Sequence, residues 1–321
     1  MDTLTTPLIC AYLNVSSQER SSNLLASARG SNTGIGPYNY VPSQAVGIVF
    51  VTLFAISTTA HVVQAVRFRM WWLFLTAVFC GVSELVGWSS RLYSSSHPQA
   101  LIPYEIQISA TITGPTPLIA ANFVILEYVV KILGPRYSRL SPRMYTILFC
   151  SSDVVSLTIQ GIGGAIAAMA AGNGKDPTTG GNVMLVGIIM QMVAITFFII
   201  FASEFLIRYS NDRPLKKPAD ELERHQALAY KLGMDPRMKI SLYAMAFSTT
   251  CLFIRAVYRT IELTNGWNGR IISTQLYFNV LDGGMVALAI FTLNIFHPGF
   301  LILPIQRRFH QLNASPSYGK A

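Results

Sequence analysis

Apolar residues gather into seven long runs, at roughly 43–66, 70–90, 104–132, 144–171, 182–208, 238–262 and 274–297, separated by polar stretches. About 20 predominantly apolar residues are enough for a helix to cross the hydrocarbon core of a bilayer. Each run therefore predicts a spanning helix, and the expected fold class is all-α, a polytopic bundle of seven transmembrane helices. The third run is long and contains Pro115 and Pro117, which predicts a kink. The fourth contains Gln160-Gly-Ile-Gly-Gly164, small residues that let a neighbouring helix approach closely. The runs divide the chain into a flexible extracytoplasmic tail at 1–41, a transmembrane domain at 42–299 and a cytoplasmic tail at 300–321.

Composition supports a membrane protein over a soluble one. Of 321 residues 51% are hydrophobic and only 12% charged, where soluble domains average about 25%. Mean hydropathy is +0.42. Four scattered cysteines (Cys10, Cys80, Cys150, Cys251) form neither a disulfide framework nor a zinc pattern. The net charge of +9 follows the loops. Loops on one side hold 17 Lys and Arg, those on the other side five, and Arg255 and Arg259 complete the set. Positive loops face the cytoplasm, so the N-terminus is expected outside and the C-terminus in the cytoplasm. That orientation places Trp71 and Trp72 at the inner interface and Trp88 and Trp267 at the outer one. It also exposes the sequon Asn14-Val-Ser16 to glycosylation. Residues 1–40 contain no cleavable signal peptide pattern. The loop between the fifth and sixth runs carries a mixed-charge helical pattern at 219–232, which suits an interfacial or a solvated helix. No repeat of transporter type is visible.

Ionisable groups inside a bilayer are costly and are functional-site candidates by default. With orientation assigned, Glu84, Gln107, Gln160, Arg255, Arg259, Glu262 and Asp282 fall in the outer half. His61, Gln64, Asn122, Glu127, Asp153, Asn294 and His297 fall toward the cytoplasmic half. Arg255, Arg259 and Glu262 share one helix face by their spacing of four and three. Arg259 and Glu262, nearer the helix end, are expected to snorkel toward the headgroups. Arg255 is one turn deeper and is expected to pair with Glu84 or Asp282. A cavity for a cationic amine head group would need acids of this sort. His61, Asp153 and His297 invite a metal reading, but no HxxxH or HExxH is present. No metal or cofactor is therefore expected, and His297 before Pro298-Gly299 reads as a helix terminator. GxSxG, GxxxxGK[ST] and GxGxxG are also missing, so neither catalysis nor ATP-driven transport by this chain alone is expected. Nothing favours nucleic acid.

The order and spacing of several short patterns resemble the fungal RTA-like family, the lipid-translocating exporters named for aminocholesterol resistance. The patterns are Tyr40-Val-Pro-Ser43, His61-Val-Val-Gln64, Glu84-Leu-Val-Gly-Trp88 with Arg91, and Tyr104-Glu-Ile-Gln107. They continue with Asp153-Val-Val-Ser156 and Gln160, Arg255-Ala-Val-Tyr-Arg259 with Glu262, Asp282-Gly-Gly-Met285 and His297-Pro-Gly299. The resemblance covers residues ~38–300. It implies a seven-helix fungal membrane protein that exports or flips sphingoid long-chain bases, or confers resistance to toxic amphiphiles. Family members often carry Gly-Arg where this chain has Glu127-Tyr128. Many also have a glutamate and a tyrosine where it has Gln275 and Asn279, which alters the polar lining.

On this reading Glu84, Asp282, Arg255, Arg259 and Gln107 contact substrate in an outer pocket, while Asp153, Gln160, His61 and Gln64 line an inner route. Its partners are membrane lipids or an amphiphilic small molecule, and its location is the plasma membrane. Two other readings compete. One is a seven-helix sensor or receptor for a lipid or stress signal, though no Asp-Arg-Tyr follows the third helix. The other is an intramembrane metal-dependent lipid hydrolase.

Overall fold

The computed structural model describes residues 37–38, 40–173, 175–215, 235–265 and 270–305. In chain order its helices are α1 (Gln44–Phe68), α2 (Phe79–Ser96), α3 (Leu101–Thr113), α4 (Pro115–Leu133), α5 (Pro142–Gly172) and α6 (Thr178–Ser210). They continue with α7 (Pro236–Thr264), α8 (Gln275–Tyr277), α9 (Met285–Ile295) and α10 (Pro298–Leu301). Two π-helical turns, Phe74–Val78 and Phe278–Gly284, lead into α2 and α9. No strand occurs among the described residues. Asn14, Trp267, the expected helix at 219–232 and most of both tails lie outside them.

Six segments are long and apolar enough to cross a membrane: Gln44–Phe68, Leu101–Leu133, Pro142–Ala170, Thr178–Ser210, Pro236–Thr264 and Gln275–Ile305. Seven spans were expected. The run at 70–90 does form a helix that packs with α1 and α3, but it is not among the six. Glu84, Arg91 and six serines within Phe79–Ser96 dilute its apolar content. Elsewhere the outward faces are apolar: Val63, Val154, Ile207, Leu276 and Ile295 are each at least 60% exposed. A soluble monomer rarely shows such continuous apolar surface. This is a multi-pass integral membrane protein.

Lipid tails give apolar side chains no reason to leave them, so helices in a bilayer associate through close packing and small residues. Such contacts knit the bundle. A Cβ on Gly81 of α2 would fall 2.1 Å from Thr58 Oγ1 of α1. A Cβ on Gly163 of α5 would fall 2.5 Å from the Met184 backbone nitrogen of α6, and one on Gly180 2.3 Å from that of Ala167. The Gln160–Gly164 stretch thus brings α5 and α6 together as its composition suggests. Further along that pair, Phe123, Phe149 and Phe198 pack with ring centroids 4.7 to 5.6 Å apart.

Helix ends follow local chemistry. The α1 helix stops at Arg69, whose φ of 55° is left-handed. The Met70 N–H bonds Ala65 O and the Arg69 N–H bonds Val66 O, the paired pattern of a Schellman cap. Asp235 caps α7 by accepting from the Arg237 N–H at 2.8 Å. The third run divides at Gly114, with Pro115 as first residue of α4. Its Thr111 carbonyl therefore faces a residue with no N–H to donate.

Candidate functional site

The C-terminal third of α7 turns Arg255, Tyr258, Arg259 and Glu262 inward, and all four are buried. Facing them is Asp282, carried on the π-helical turn Phe278–Gly284 and fully buried. Gly283 makes that approach feasible, since a Cβ there would sit 2.3 Å from Trp88 Cζ2. Arg255 Nε donates to Asp282 Oδ1 at 2.9 Å. Arg259 donates to both oxygens, Nε to Oδ1 at 2.8 Å and Nη2 to Oδ2 at 2.7 Å. Glu262 completes the network, accepting from Arg259 Nη1 at 2.8 Å and from the Tyr258 hydroxyl at 2.9 Å.

The helix break joins this network. In an unbroken α-helix the N–H of residue 115 would satisfy the Thr111 carbonyl. Proline supplies none, and Arg255 Nη2 takes its place, donating to Thr111 O at 2.6 Å and to Ile112 O at 3.3 Å. Arg259 Nη2 also donates to the Thr111 hydroxyl at 2.9 Å. These partners escaped the sequence reading. The available signal was Pro115, four residues after Thr111.

Arg255 pairs with Asp282, one of the two acids expected; two other expectations need correction, and Glu84 stands apart. Arg259 and Glu262 do not reach toward headgroups, because α3 and the Phe278–Gly284 turn cover them and leave each no more than 3% exposed. Glu84 is enclosed in the bundle but joins no ion pair among the described residues, and neither of its carboxyl oxygens has a hydrogen-bond partner at normal geometry. Trp88 is no interfacial belt residue; it is fully buried and stacks on Phe50 at 4.0 Å.

Beside the network a narrow cavity of about 40 Å³ opens, large enough for a few waters or a small polar head group. Tyr38, Tyr40, Arg91, Tyr104, Arg259 and Glu262 are among its walls. Arg91 Nη2 donates to the Tyr40 hydroxyl at 2.8 Å and Nη1 to Gln107 Oε1 at 3.4 Å. Its guanidinium also lies 4.6 Å from the Phe278 ring centre and 5.3 Å from that of Tyr38. Burial pushes the Tyr38 phenol above its ordinary value, so it remains protonated and donates to Ser94 Oγ at 3.3 Å.

The remaining polar candidates divide between two helix pairs. On α1, His61 Nε2 meets Ile290 O at 3.2 Å and Gln64 donates to Asn294 O at 2.9 Å, both on α9. On α5, Gln160 donates to Gln191 of α6 at 3.2 Å, and Gln191 donates to the Thr116 hydroxyl at 2.8 Å. Asp153 and Ser156 share that α5 face, buried and without hydrogen-bond partners. Among the described residues no hydrogen bond joins the His61 group to the Asp153 group. His297 Nδ1 accepts from the Gly299 N–H at 3.1 Å, capping α10. Among the described residues no three His, Cys, Asp or Glu side chains cluster as metal ligands.

The model of a family described as "RTA1 like protein" matches residues 77–304. The chain belongs to the RTA1-like family. Its relatives include the protein named sphingoid long-chain base transporter RSB1 in Saccharomyces cerevisiae strain Lalvin EC1118. That protein is 30% identical over 296 residues, which cover 86% of this chain and 76% of the relative. Protein RTA1 of S. cerevisiae strain S288c is 25% identical over 275 residues, covering 78% of this chain and 81% of the relative. Protein RTM1 of S. cerevisiae is 28% identical over 217 residues, covering 67% and 64%. No solved structure matches. The whole buried network of this RTA1-like chain, from Thr111 to Asp282, lies inside the family match, as does Glu84, whereas Tyr38, Tyr40, His61 and Gln64 precede it.

Proposed function

We propose that the chain translocates or exports single-chain amphiphiles, sphingoid long-chain bases foremost, and is not an enzyme. The observation that carries this reading is its similarity across most of its length to the transporter RSB1. A buried charge network with a further enclosed acid, Glu84, in the same bundle supports it. In this reading the N-terminus and the cavity face the exterior of the plasma membrane, and Asn14 is a glycosylation site. Arg255, Arg259 and Asp282 hold the site's shape, because they pair with one another. Glu84 supplies the acid for an ammonium head, since its oxygens are not engaged by donors. Gln107 lines the cavity beside the network. Asp153, Gln160, His61 and Gln64 contribute polar steps deeper in the bundle.

The test is export of a labelled sphingoid base from cells carrying no copy, the wild type or Glu84→Gln. The expectation is strong export by the wild type and export near the empty-cell level for Glu84→Gln, with equal surface amounts of both proteins. Export by the wild type no faster than by empty cells would end the translocation reading. Export by Glu84→Gln equal to wild type would remove Glu84 from it.

A further inference from the structure

Three arginines meet at this end of the bundle, and they are not equally balanced. Arg259 has four hydrogen bonds for its five N–H groups, three of them to carboxylates. Arg255 donates to Asp282 and to the Thr111 and Ile112 carbonyls. Arg91 differs from both. It is 2% exposed and forms no ion pair with any described acid. Its hydrogen bonds to Tyr40 and Gln107 use two of its five N–H groups, leaving three. A buried charge without a counter-ion is costly. The rings of Tyr38, Tyr40, Trp88 and Phe278 around it offset part of that cost.

Arg91 also lines the cavity, together with hydroxyls able to donate. Tyr40 accepts from Arg91 and keeps its own proton for another acceptor. Tyr104, half-buried and packed against Tyr38 at 4.7 Å between ring centres, makes no hydrogen bond to a described residue. One acid, Glu262, borders the same space, and it is occupied by Arg259 and Tyr258. The donors left over are therefore a guanidinium edge and two phenols.

We propose that this cavity binds a phosphate-type oxyanion, with Arg91 as the counter-charge and Tyr40 and Tyr104 as neutral donors. Phosphate presents several acceptor oxygens to a fork of N–H groups, the match that arginine makes well. The anion arrives either as the head of a phosphorylated single-chain lipid or as free phosphate. The proposal does not depend on what the bundle moves, and an ammonium head alone would meet Arg91 as a like charge.

The experiment is equilibrium binding to the full chain, purified in a maltoside detergent. The probes are dodecyl phosphate, dodecanol, dodecylamine and inorganic phosphate. Dodecyl phosphate is expected to bind at least about tenfold more tightly than dodecanol or dodecylamine. Arg91→Gln should lose that margin and Arg91→Lys should keep part of it. Tyr104→Phe, which removes one hydroxyl and no charge, should weaken dodecyl phosphate about threefold and leave dodecanol unchanged. It serves as the decisive variant if Arg91→Gln does not fold. Inorganic phosphate competing as strongly as dodecyl phosphate would identify the free anion as the ligand, and much weaker competition would identify the lipid head. Equal binding of phosphate, alcohol and amine probes, or margins untouched by both Arg91→Gln and Tyr104→Phe, would overturn the proposal. Because binding is read without transport, loss of sphingoid-base export leaves it standing.

Discussion

Asp282 and Asp153 are both aspartates inside apolar helices, both buried, and their surroundings are opposite. Asp282 receives three N–H bonds from two arginines, which are further anchored on a broken helix and on Glu262. Among the described residues none donates to Asp153, and Ser156 on the same helix face has no partner there either. A carboxylate held this way is architecture: two arginines take three of its roughly four acceptor sites, and it cannot be moved without stranding two cations. An unengaged one contributes little to holding the bundle together and remains open to an incoming group. Glu84 belongs with Asp153 in this division, although it sits close to the arginine network.

The largest expected effect tests the paired side. Asp282→Asn leaves two guanidiniums underpaired in the bundle interior, and breaking a buried pair costs about 3–5 kcal/mol. Melting of the purified variant in detergent should fall well below the wild type, or little folded protein should be recovered. Next comes Gly283→Ala, which keeps every charge but drives a methyl group into Trp88. It should destabilise by about 1–3 kcal/mol, as overpacking does, and should displace Asp282 from the arginines. Asp153→Asn removes a carboxylate with no partner, so melting should change by less than about 1 kcal/mol in either direction. Its effect, if the inner polar residues serve passage, appears in sphingoid-base export instead. A loss of stability equal to that of Asp282→Asn would erase the distinction between the two aspartates. The smallest effect is expected from Arg139→Gln, which opens the pair to Glu204 at 2.7 Å on a half-exposed surface. No measurable change in melting should follow, since exposed pairs contribute little.

Much of this was legible in the chain. The runs marked the helices, Pro115 marked the break, and acids buried in apolar runs marked Asp282 as a partner for Arg255. Depth was harder to read. Arg259 and Glu262 lie near the end of α7, where a helix considered alone lets long side chains reach water. Only the packing of α3 and the Phe278–Gly284 turn against that end decides that they stay inside. Trp88 differs for the same reason: Phe50 and Gly283 close over it and keep it from lipid. The π-helical turn at Phe278–Gly284 has no signature in a 3.6-residue periodicity, although Asp282-Gly-Gly284 supplies the small residues it uses. The Thr111–Arg255 bond joins residues 144 positions apart and could not be inferred from either segment alone.

That bond gives the α3–α4 junction an unusual mechanical character. Two rigid rods meet at Gly114, and the strut across the joint is supplied by a different helix. Arg255 grips the α3 side at Thr111 and Ile112, while Asn122 on the α4 side donates to Ser248 and Thr249 of the same helix, so α7 braces both rods. Released, the joint would swing on a single glycine, with a bare carbonyl on its inner side.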